Sequence, residues 1–333
     1  MPTSLVTGAA GFIGSHVVDA LLERGHRVVA LDDLSGGFRD NVNARATFVE
    51  ASCVDHKRLS ELFQEQAFDY VFHLAAYAAE GLSHFIKRFN YTNNVIGSVN
   101  LINEAVNHNV KRFIFTSSIA VYGKNQVPMR EDLVPAPEDS YGIAKYAVEL
   151  DLKASHDMFG LDYVIFRPHN VYGERQNTGD KYRNVIGIFM NQMLAGESFT
   201  IFGNGEQKRA FSYIGDIAPI LAESATLDAA RNEIFNVGAD SVYTVNELAE
   251  EVMTAMGGTI DIKHLPARNE VVDAWSDHSK AHRVFGARPE TPLSEGLRTM
   301  ADWVKQSGVR TSKPFEGIEI EKNLPPSWKA IRA

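Results

Sequence analysis

Several features are scarce in this sequence of 333 residues, and each scarcity excludes a class of protein. Cys53 is the only cysteine, so no internal disulfide can form. No apolar run approaches the roughly 18 residues of a membrane-spanning helix, and the opening residues predict a core strand rather than a signal segment. The 33 basic side chains are outnumbered by 42 acidic ones, and the net charge of -9 argues against nucleic acid and anionic membranes as partners. We therefore expect a cytoplasmic protein with no membrane and no nucleic acid among its partners.

The first fourteen residues contain an apolar run followed by regularly spaced glycines. The run that ends at Val6 predicts a buried strand, Gly8, Gly11 and Gly14 follow, and the next residues have an amphipathic helical pattern. A second apolar run ends in Asp32. Glycines allow a tight turn, the N–H groups at a helix N-terminus bind a pyrophosphate, and an acid after the next strand accepts hydrogen bonds from ribose hydroxyls. The pattern predicts a dinucleotide site, and the cofactor NAD, because a carboxylate repels the extra phosphate of NADP.

Strands and helices alternate through the first half of the chain, which predicts an α/β fold. The predicted class is a Rossmann-like, doubly wound parallel sheet with a smaller α/β substrate domain. Long helices are predicted from about Ser83 to Asn109 and from about Tyr141 to Phe159. The predicted parts are residues 1–168 with about 210–240 for the NAD-binding domain, 169–209 with 241–308 for the substrate domain, and 309–333 for a C-terminal tail that wraps the surface.

Tyr141 and Lys145 are four residues apart on a predicted helix and therefore share one face. A nearby ammonium group and a positive nicotinamide ring would lower the pKa of the tyrosine, which otherwise keeps its proton to about pH 10. The phenol could then exchange a proton with a substrate hydroxyl near neutral pH. Ser118, at the end of the fifth predicted strand, could bond the same substrate oxygen. Together with the glycine turn, these residues predict a catalytic group rather than a surface pair.

Seven motifs occur in a fixed order along the chain. They are Thr7-Gly8-Ala9-Ala10-Gly11-Phe12-Ile13-Gly14, Leu31-Asp32-Asp33-Leu34, His73-Leu74-Ala75-Ala76, Asn93-Asn94-Val95, Thr116-Ser117-Ser118-Ile119-Ala120-Val121-Tyr122-Gly123, Tyr141-Gly142-Ile143-Ala144-Lys145 and Arg167-Pro168-His169-Asn170-Val171-Tyr172-Gly173. From its start to about Val304, the sequence resembles the extended short-chain dehydrogenase/reductases, and specifically the nucleotide-sugar epimerases typified by UDP-glucose 4-epimerase.

The resemblance implies three sets of site residues and no metal ligand. The implied catalytic residues are Ser118, Tyr141 and Lys145. The implied cofactor contacts are Gly8, Gly11, Phe12, Ile13, Gly14, Asp32, Leu74, Ala75, Ala76, Asn94, Tyr141, Lys145 and Pro168. The predicted substrate contacts are Ser118, Tyr141, His169, Asn170, Arg209 and Arg268. The two arginines suit a diphosphate because a guanidinium makes bidentate, charge-assisted hydrogen bonds.

Some positions depart from the family pattern. The 4,6-dehydratases and decarboxylases of the superfamily carry an acid where this chain has Ile119 and Ala120, so acid-assisted elimination is not expected. His169 stands where common 4-epimerases have phenylalanine, and it is either a substrate contact or a packed core histidine. Glu80 replaces a familiar residue of the substrate loop. Ala274 falls about where relatives limit the room for an N-acetyl group, and it is either a pocket residue or a core residue.

These observations together predict an NAD-dependent epimerase of a nucleotide-diphosphate sugar. The first choice is UDP-hexose 4-epimerisation through a transient 4-keto sugar. The alternatives are a nucleotide-sugar dehydrogenase or keto-reductase, an epimerase at another carbon of a UDP-, GDP- or CDP-sugar, and a nonenzymatic NAD-sensing or scaffold protein. A homodimer is expected, because the two long helices carry more apolar positions than one sheet face needs and two such helices per subunit form the interface in relatives.

Overall fold

A computed structural model describes residues 1–180, 182–267, 273–309, 315 and 317–325. The strands in chain order are β1 (Thr3–Thr7), β2 (Arg27–Asp32), β3 (Thr47–Glu50), β4 (Tyr70–His73), β5 (Arg112–Thr116), β6 (Tyr163–Pro168), β7 (Val171–Tyr172), β8 (Phe199–Phe202), β9 (Lys208–Ala210), β10 (Ser212–Tyr213), β11 (Glu233–Val237), β12 (Val242–Thr244) and β13 (Ile262–Leu265). The helices are α1 (Phe12–Glu23), α2 (His56–Glu65), α3 (Glu80–Ser83), α4 (Lys87–Tyr91), α5 (Gly97–Asn107), α6 (Ser140–Phe159), α7 (Val185–Ala195), α8 (Ile214–Glu223), α9 (Val245–Met256), α10 (Ser279–Phe285) and α11 (Leu293–Ser307). Among these helices, none is both long and apolar enough to cross a bilayer.

Seven strands form one parallel sheet in the order β3-β2-β1-β4-β5-β6-β11. All five residues of β1 are buried, as expected for a parallel strand covered on both faces, and this explains the continuous apolar runs in the sequence. The direction of winding reverses between β1 and β4, so a crevice opens beyond the carboxyl ends of these two strands. The sheet confirms the predicted fold class.

Two apolar layers cover the sheet, one on each face. Helices α1, α8 and α10 pack on one face through side chains such as Val18, Leu221 and Phe285. Helices α2, α5 and α6 pack on the other through Leu62, Leu101 and their neighbours. Helix α6 therefore lies directly against the sheet, with its N-terminal end at the crevice.

A third apolar cluster lies outside the sheet and is built from α7, α9, α11 and β8. The rings of Phe189 and Phe199 stack in it with centroids 4.4 Å apart. A core of its own is what a separate substrate domain requires, and it supports the proposed division of the chain into two domains.

The predicted helix from Ser83 to Asn109 is interrupted near its start and is otherwise found. The helix breaks at residues 84–86 after α3, and α4, a π-helical turn at Thr92–Ile96 and α5 then follow one another directly to Asn107. In this irregular stretch Asn90 Nδ2 donates to the Ser140 carbonyl oxygen at 2.8 Å, which ties the stretch to the start of α6. Such hydrogen bonds from a side-chain amide to a distant backbone group compete with regular helix geometry. The apolar periodicity of the sequence contains no signal for these bonds.

The described part of the C-terminal tail packs on α4. The Glu319 carboxylate accepts the N–H groups of Arg88 and Phe89 at 2.8 and 2.9 Å and so caps the first turn of that helix. The Phe315 ring lies 4.9 Å from the Phe89 ring and 5.4 Å from the Tyr77 ring, centroid to centroid. The tail therefore covers the segment that leads from β4 to α4.

Candidate active site

The glycine turn after β1 packs too closely for side chains. Gly8 has a φ of +69°, and a Cβ placed on it would lie 2.8 Å from the Ala75 nitrogen. A Cβ on Gly14 would meet the Gly8 carbonyl group. The turn therefore brings the start of α1 against the segment that follows β4, which contains the predicted cofactor residues Leu74, Ala75 and Ala76.

Asp32 closes the same crevice from the end of β2. Its two carboxylate oxygens accept the N–H groups of Ala10 at 3.0 Å and Leu34 at 2.8 Å. Burial raises the pKa of this carboxyl, and the two backbone hydrogen bonds oppose that rise. Asp32 is thus fixed beside the glycine turn, as a ribose-binding acid requires.

Asn94 supports the cofactor side of the crevice by holding Tyr77. Its Oδ1 accepts the Tyr77 N–H at 2.8 Å, and its Nδ2 donates to the Tyr77 carbonyl oxygen at 3.1 Å. The side chain is 1% exposed, so these bonds satisfy a buried amide. Asn94 therefore fixes the backbone immediately after Ala75 and Ala76.

Lys145, Tyr141 and Ser118 meet at the amino-terminal part of α6. The Lys145 ammonium donates to the Thr116 carbonyl oxygen at 2.8 Å and lies 5.8 Å from the centre of the Tyr141 ring. Ser118 Oγ accepts the Ala120 N–H at 3.1 Å, and its hydroxyl acts to lower the pKa of the Tyr141 phenol. Both Tyr141 and Lys145 are buried, so bulk water is kept away from the group.

Burial and three neighbouring side chains affect the protonation of Tyr141 and Lys145. Burial raises the pKa of Tyr141, and the Glu80 carboxylate adds to the rise, while the Ser118 hydrogen bond lowers it. Burial lowers the pKa of Lys145 to about 7, and the charge of Glu149 acts in the opposite direction. Desolvation is the largest of these effects on the phenol, and the predicted lowering of its pKa requires the nicotinamide ring beside it.

A cavity of about 820 Å³ opens beside Ser118. The predicted site residues on its wall are Ser118, Pro168, His169, Asn170 and Arg209. Ile119 and Ala120 also line it, so the wall has apolar side chains where the dehydratases carry acids. Arg268, the second predicted diphosphate ligand, lies outside the described residues.

The Ala210 carbonyl oxygen contacts both residues that follow β6, His169 and Asn170. The Asn170 amide donates to the Ala210 carbonyl oxygen at 3.0 Å, and Asn170 has a left-handed backbone with a φ of +39°. His169 Nδ1 lies 3.2 Å from the same oxygen. Arg209, one residue earlier on β9, forms a backbone bridge with Ala274, which also lines the cavity.

Residues 4–238 match the model of the NAD dependent epimerase/dehydratase family. The chain belongs to this family. A protein of Methanocaldococcus jannaschii named putative UDP-glucose 4-epimerase is 37% identical over 308 residues, which are 91% of this chain and 98% of that protein.

Solved structures of the family have the same fold. A UDP-glucose 4-epimerase of Thermotoga maritima, determined with UDP-glucose, matches 92% of this chain and 99% of its own at a TM-score of 0.87 and 36% identity. A UDP-N-acetylglucosamine 4-epimerase of Methanobrevibacter ruminantium, in complex with UDP-N-acetylmuramic acid, matches 92% and 98% at a TM-score of 0.86 and 35% identity. Other relatives are named UDP-glucuronate 4-epimerase and UDP-glucuronic acid decarboxylase.

These comparisons confirm the resemblance found in the sequence, the Rossmann-like fold and NAD as the cofactor. They place the chain among NAD-dependent nucleotide-sugar epimerases and decarboxylases.

A buried network of hydrogen bonds lies next to Ser118 and Lys145, and the sequence analysis missed it. Glu149 accepts the Ser117 hydroxyl at 2.6 Å and pairs with Arg167 through bonds of 2.9 and 2.5 Å. Glu149 follows Lys145 by four residues, so the spacing of Tyr141, Lys145 and Glu149 on one helix face was the available signal.

Arg183 was missed as well, because it lies outside the helices and strands. Its guanidinium bonds the Asp180 carboxylate at 2.6 and 2.7 Å and lies 4.9 Å above the Tyr77 ring. It lines the cavity, and its charge acts to lower the pKa of Tyr141. Loop residues carry no periodicity, so no sequence pattern identified it.

Proposed function

We propose that the chain is a UDP-hexose 4-epimerase that acts through a transient 4-keto sugar. The observation that carries the proposal is the grouping of Ser118, Tyr141 and Lys145 near the start of α6, with Ser118 on the wall of the cavity. The cavity, at about 820 Å³, falls within the usual range of ligand pockets, which is about 300–1,000 Å³. Proton transfer and ligand binding can therefore take place on adjoining surfaces.

The residues of the crevice fit NAD. The backbone at Gly8 and Gly14 leaves no space for a Cβ. The N-cap of α1 is Gly11, which has no side chain to cap the helix, so the first N–H groups of α1 are available to a pyrophosphate. Asp32 would hold the adenosine ribose, and the Tyr77 backbone fixed by Asn94 would border the cofactor. Bound NAD would supply a reversible hydride acceptor.

The chain's own residues would handle the proton and the oxygen at the reacting carbon. Tyr141 would take the proton of the 4-hydroxyl group and later return it, while the Ser118 hydroxyl holds the oxygen. Lys145, anchored on the Thr116 carbonyl, would place its charge near the phenol and favour its ionised form. In the cavity, Arg209 and Asn170 would bind the diphosphate and position the sugar.

The apolar wall at Ile119 and Ala120 favours epimerisation over elimination or decarboxylation, because neither side chain can donate or accept a proton. A net dehydrogenase or keto-reductase would use the same catalytic group. The two reactions differ in redox balance, since an epimerase returns its cofactor to the oxidised state in every turnover.

Purified protein incubated with UDP-galactose should give a mixture of UDP-galactose and UDP-glucose. Proton NMR of the anomeric signals measures the proportions of the two sugars. Tyr141→Phe should retain NAD and the fold and lose most turnover, because only the proton relay is removed. Steady accumulation of NADH would instead identify a dehydrogenase. NAD binding without turnover of any UDP-, GDP- or CDP-hexose would support a nonenzymatic protein, and a Tyr141→Phe variant with the wild-type rate would refute the mechanism.

A further inference from the structure

A guanidinium from the segment before α7 lies at the carboxyl ends of the central strands. Arg183 immediately precedes the N-cap of α7, and its guanidinium lies 4.9 Å from the centre of the Tyr77 ring. A Cβ placed on Gly36 would lie 3.6 Å from Arg183 Nη2. Tyr77 follows β4 and Gly36 follows β2, and these two strands flank β1 in the sheet. The guanidinium therefore lies beside the crevice into which the glycine turn after β1 opens.

The chain around Arg183 is fixed against that glycine turn. The Asn41 amide is buried and donates to the carbonyl oxygens of Ala10 at 3.0 Å and Arg175 at 3.2 Å. This amide joins the turn to the segment that leads to Arg183. A Cβ on Gly37 would overlap the Ala10 carbonyl group, so the loop after β2 packs on the same turn. Three segments thus converge beside the start of α1.

Asp180 orients the guanidinium and leaves part of it for a ligand. Asp180 Oδ2 accepts Arg183 Nε at 2.7 Å and lies 2.6 Å from Nη2, while Oδ1 accepts the Tyr182 N–H at 2.9 Å. Among the described residues, Asp180 is the only hydrogen-bond acceptor of Arg183. A guanidinium has N–H donors on all three nitrogens, so those on Nη1 remain for a ligand. The Arg183 side chain is 25% exposed and is accessible to one.

The residues assigned to NAD contribute little other positive charge. Lys145 is the only basic residue among them, and its ammonium already donates to a backbone carbonyl oxygen at 2.8 Å. Asp32 adds a negative charge to the crevice, and the start of α1 supplies only a partial positive one. Arg39, in the loop after β2, lies over the Phe48 ring at 4.2 Å from its centre. Arg183 is therefore the basic side chain best placed to balance the charges of a pyrophosphate.

We propose that Arg183 binds the pyrophosphate of NAD together with the N–H groups at the start of α1. The planar fork of a guanidinium matches phosphate oxygens and can bond two of them at once. Arg183 also lines the sugar cavity, so this contact connects the cofactor to the wall of the substrate site. The assignment depends on the cofactor alone and is independent of the sugar that the enzyme converts.

Two measurements without sugar test this contact: the NAD that the purified holoenzyme retains through gel filtration, and the Kd for NAD added back. Arg183→Gln should lose NAD and raise the Kd roughly ten- to a hundredfold, because charge-assisted hydrogen bonds are lost. Arg183→Lys should give an intermediate Kd, since lysine keeps the charge and loses the fork. Arg175→Gln removes a guanidinium of the same segment that pairs with Asp19, and this matched control should keep the wild-type Kd. Wild-type affinity for NAD in Arg183→Gln overturns the proposal.

Two further ligands distinguish a pyrophosphate contact from other roles of Arg183. ADP-ribose contains the pyrophosphate and lacks the nicotinamide, so Arg183→Gln should weaken its binding by the same factor as that of NAD. UDP should bind to the NAD-saturated variant with an unchanged Kd, because its diphosphate is assigned to Arg209. A loss of affinity for UDP alone would make Arg183 a substrate ligand, and equal losses for NAD and UDP would make its role structural. Either result overturns the proposal, and neither depends on turnover of a sugar.

Discussion

Glu149 and Arg167 form an ion pair in which both side chains are shielded from solvent, with exposures of 0% and 2%. Glu149 lies on α6, two turns after Tyr141, and Arg167 lies on β6. The pair therefore fixes the helix that carries Tyr141 and Lys145 to the strand that leads into the cavity. The Arg167 guanidinium also lies 4.7 Å from the Tyr122 ring, which extends the contact to the residues after Ser118.

Glu149→Ala should destabilise the fold strongly, because it leaves the Arg167 charge buried without its partner. Breaking such a pair from one side typically costs about 3–5 kcal/mol, and Glu149→Gln should cost less because it keeps one acceptor for the guanidinium. Urea unfolding at neutral pH measures the free energy. Glu61→Ala is the matched control, since its pair with Arg58 is exposed at the surface of α2 and should change stability by less than about 1 kcal/mol. Similar losses in the two alanine variants would contradict the assignment.

Glu80→Gln should shift the pH dependence of turnover. The Glu80 charge helps to raise the pKa of Tyr141, so its removal lowers that pKa. A tyrosine base works when ionised, and the rising limb of kcat/KM against pH should therefore move to lower pH. Glu138→Gln also removes a carboxylate from the cavity wall, but one already paired with Lys124 at 3.3 Å, and should leave the limb in place. A limb that moves to higher pH in Glu80→Gln would contradict the conclusion that the Glu80 charge raises the pKa of Tyr141.

Ala274 should determine whether an N-acetylated sugar fits. The residue lines the cavity and also packs in a buried apolar cluster with Ile119 and Met129, so the substitution distinguishes a pocket residue from a core residue. We expect wild-type enzyme to accept both UDP-glucose and UDP-N-acetylglucosamine. Ala274→Tyr should reduce kcat/KM for the N-acetylated substrate more than for the plain one, by roughly ten- to a hundredfold in the ratio. Equal losses on both substrates would assign Ala274 to the core, and Ala274→Ser serves as the small-residue control.

Exposed apolar side chains on the helical face formed by the π-helical turn and α6 support a homodimer. Ile96, Ile143 and Leu150 are 49%, 43% and 49% exposed. Leu150→Arg should place a charge in the interface and give a monomer by light scattering at micromolar concentration. Val134→Arg, at a side chain 79% exposed in the segment before α6, should keep the oligomeric state of the wild type. A monomeric wild-type protein would refute the proposal.

The sheet was predictable because buried parallel strands need continuous apolar runs, and the runs of β1, β2 and β5 end at a glycine, an acid and a hydroxyl group at the crevice. The positions of Gly8, Asp32 and Ser118 followed from that rule. The π-helical turn at Thr92–Ile96 did not, since Asn90 and Asn94 bond to partners 17 to 50 residues away. Pairing between distant residues, as for Arg167 with Glu149 or His278 with His169, is fixed only when the strands are assembled.

The cap that Glu319 provides for α4 has a consequence for the order in which the site is completed during synthesis. The carboxylate and the N–H group of Phe89 that it accepts are separated by 230 positions along the chain. A ribosome adds about 5–20 residues per second, so the segment between β4 and α4 waits many seconds for its last contacts. The sheet and the glycine turn can form while the chain is still attached, whereas the segment that carries Tyr77 and Glu80 reaches its final packing only after the tail has emerged.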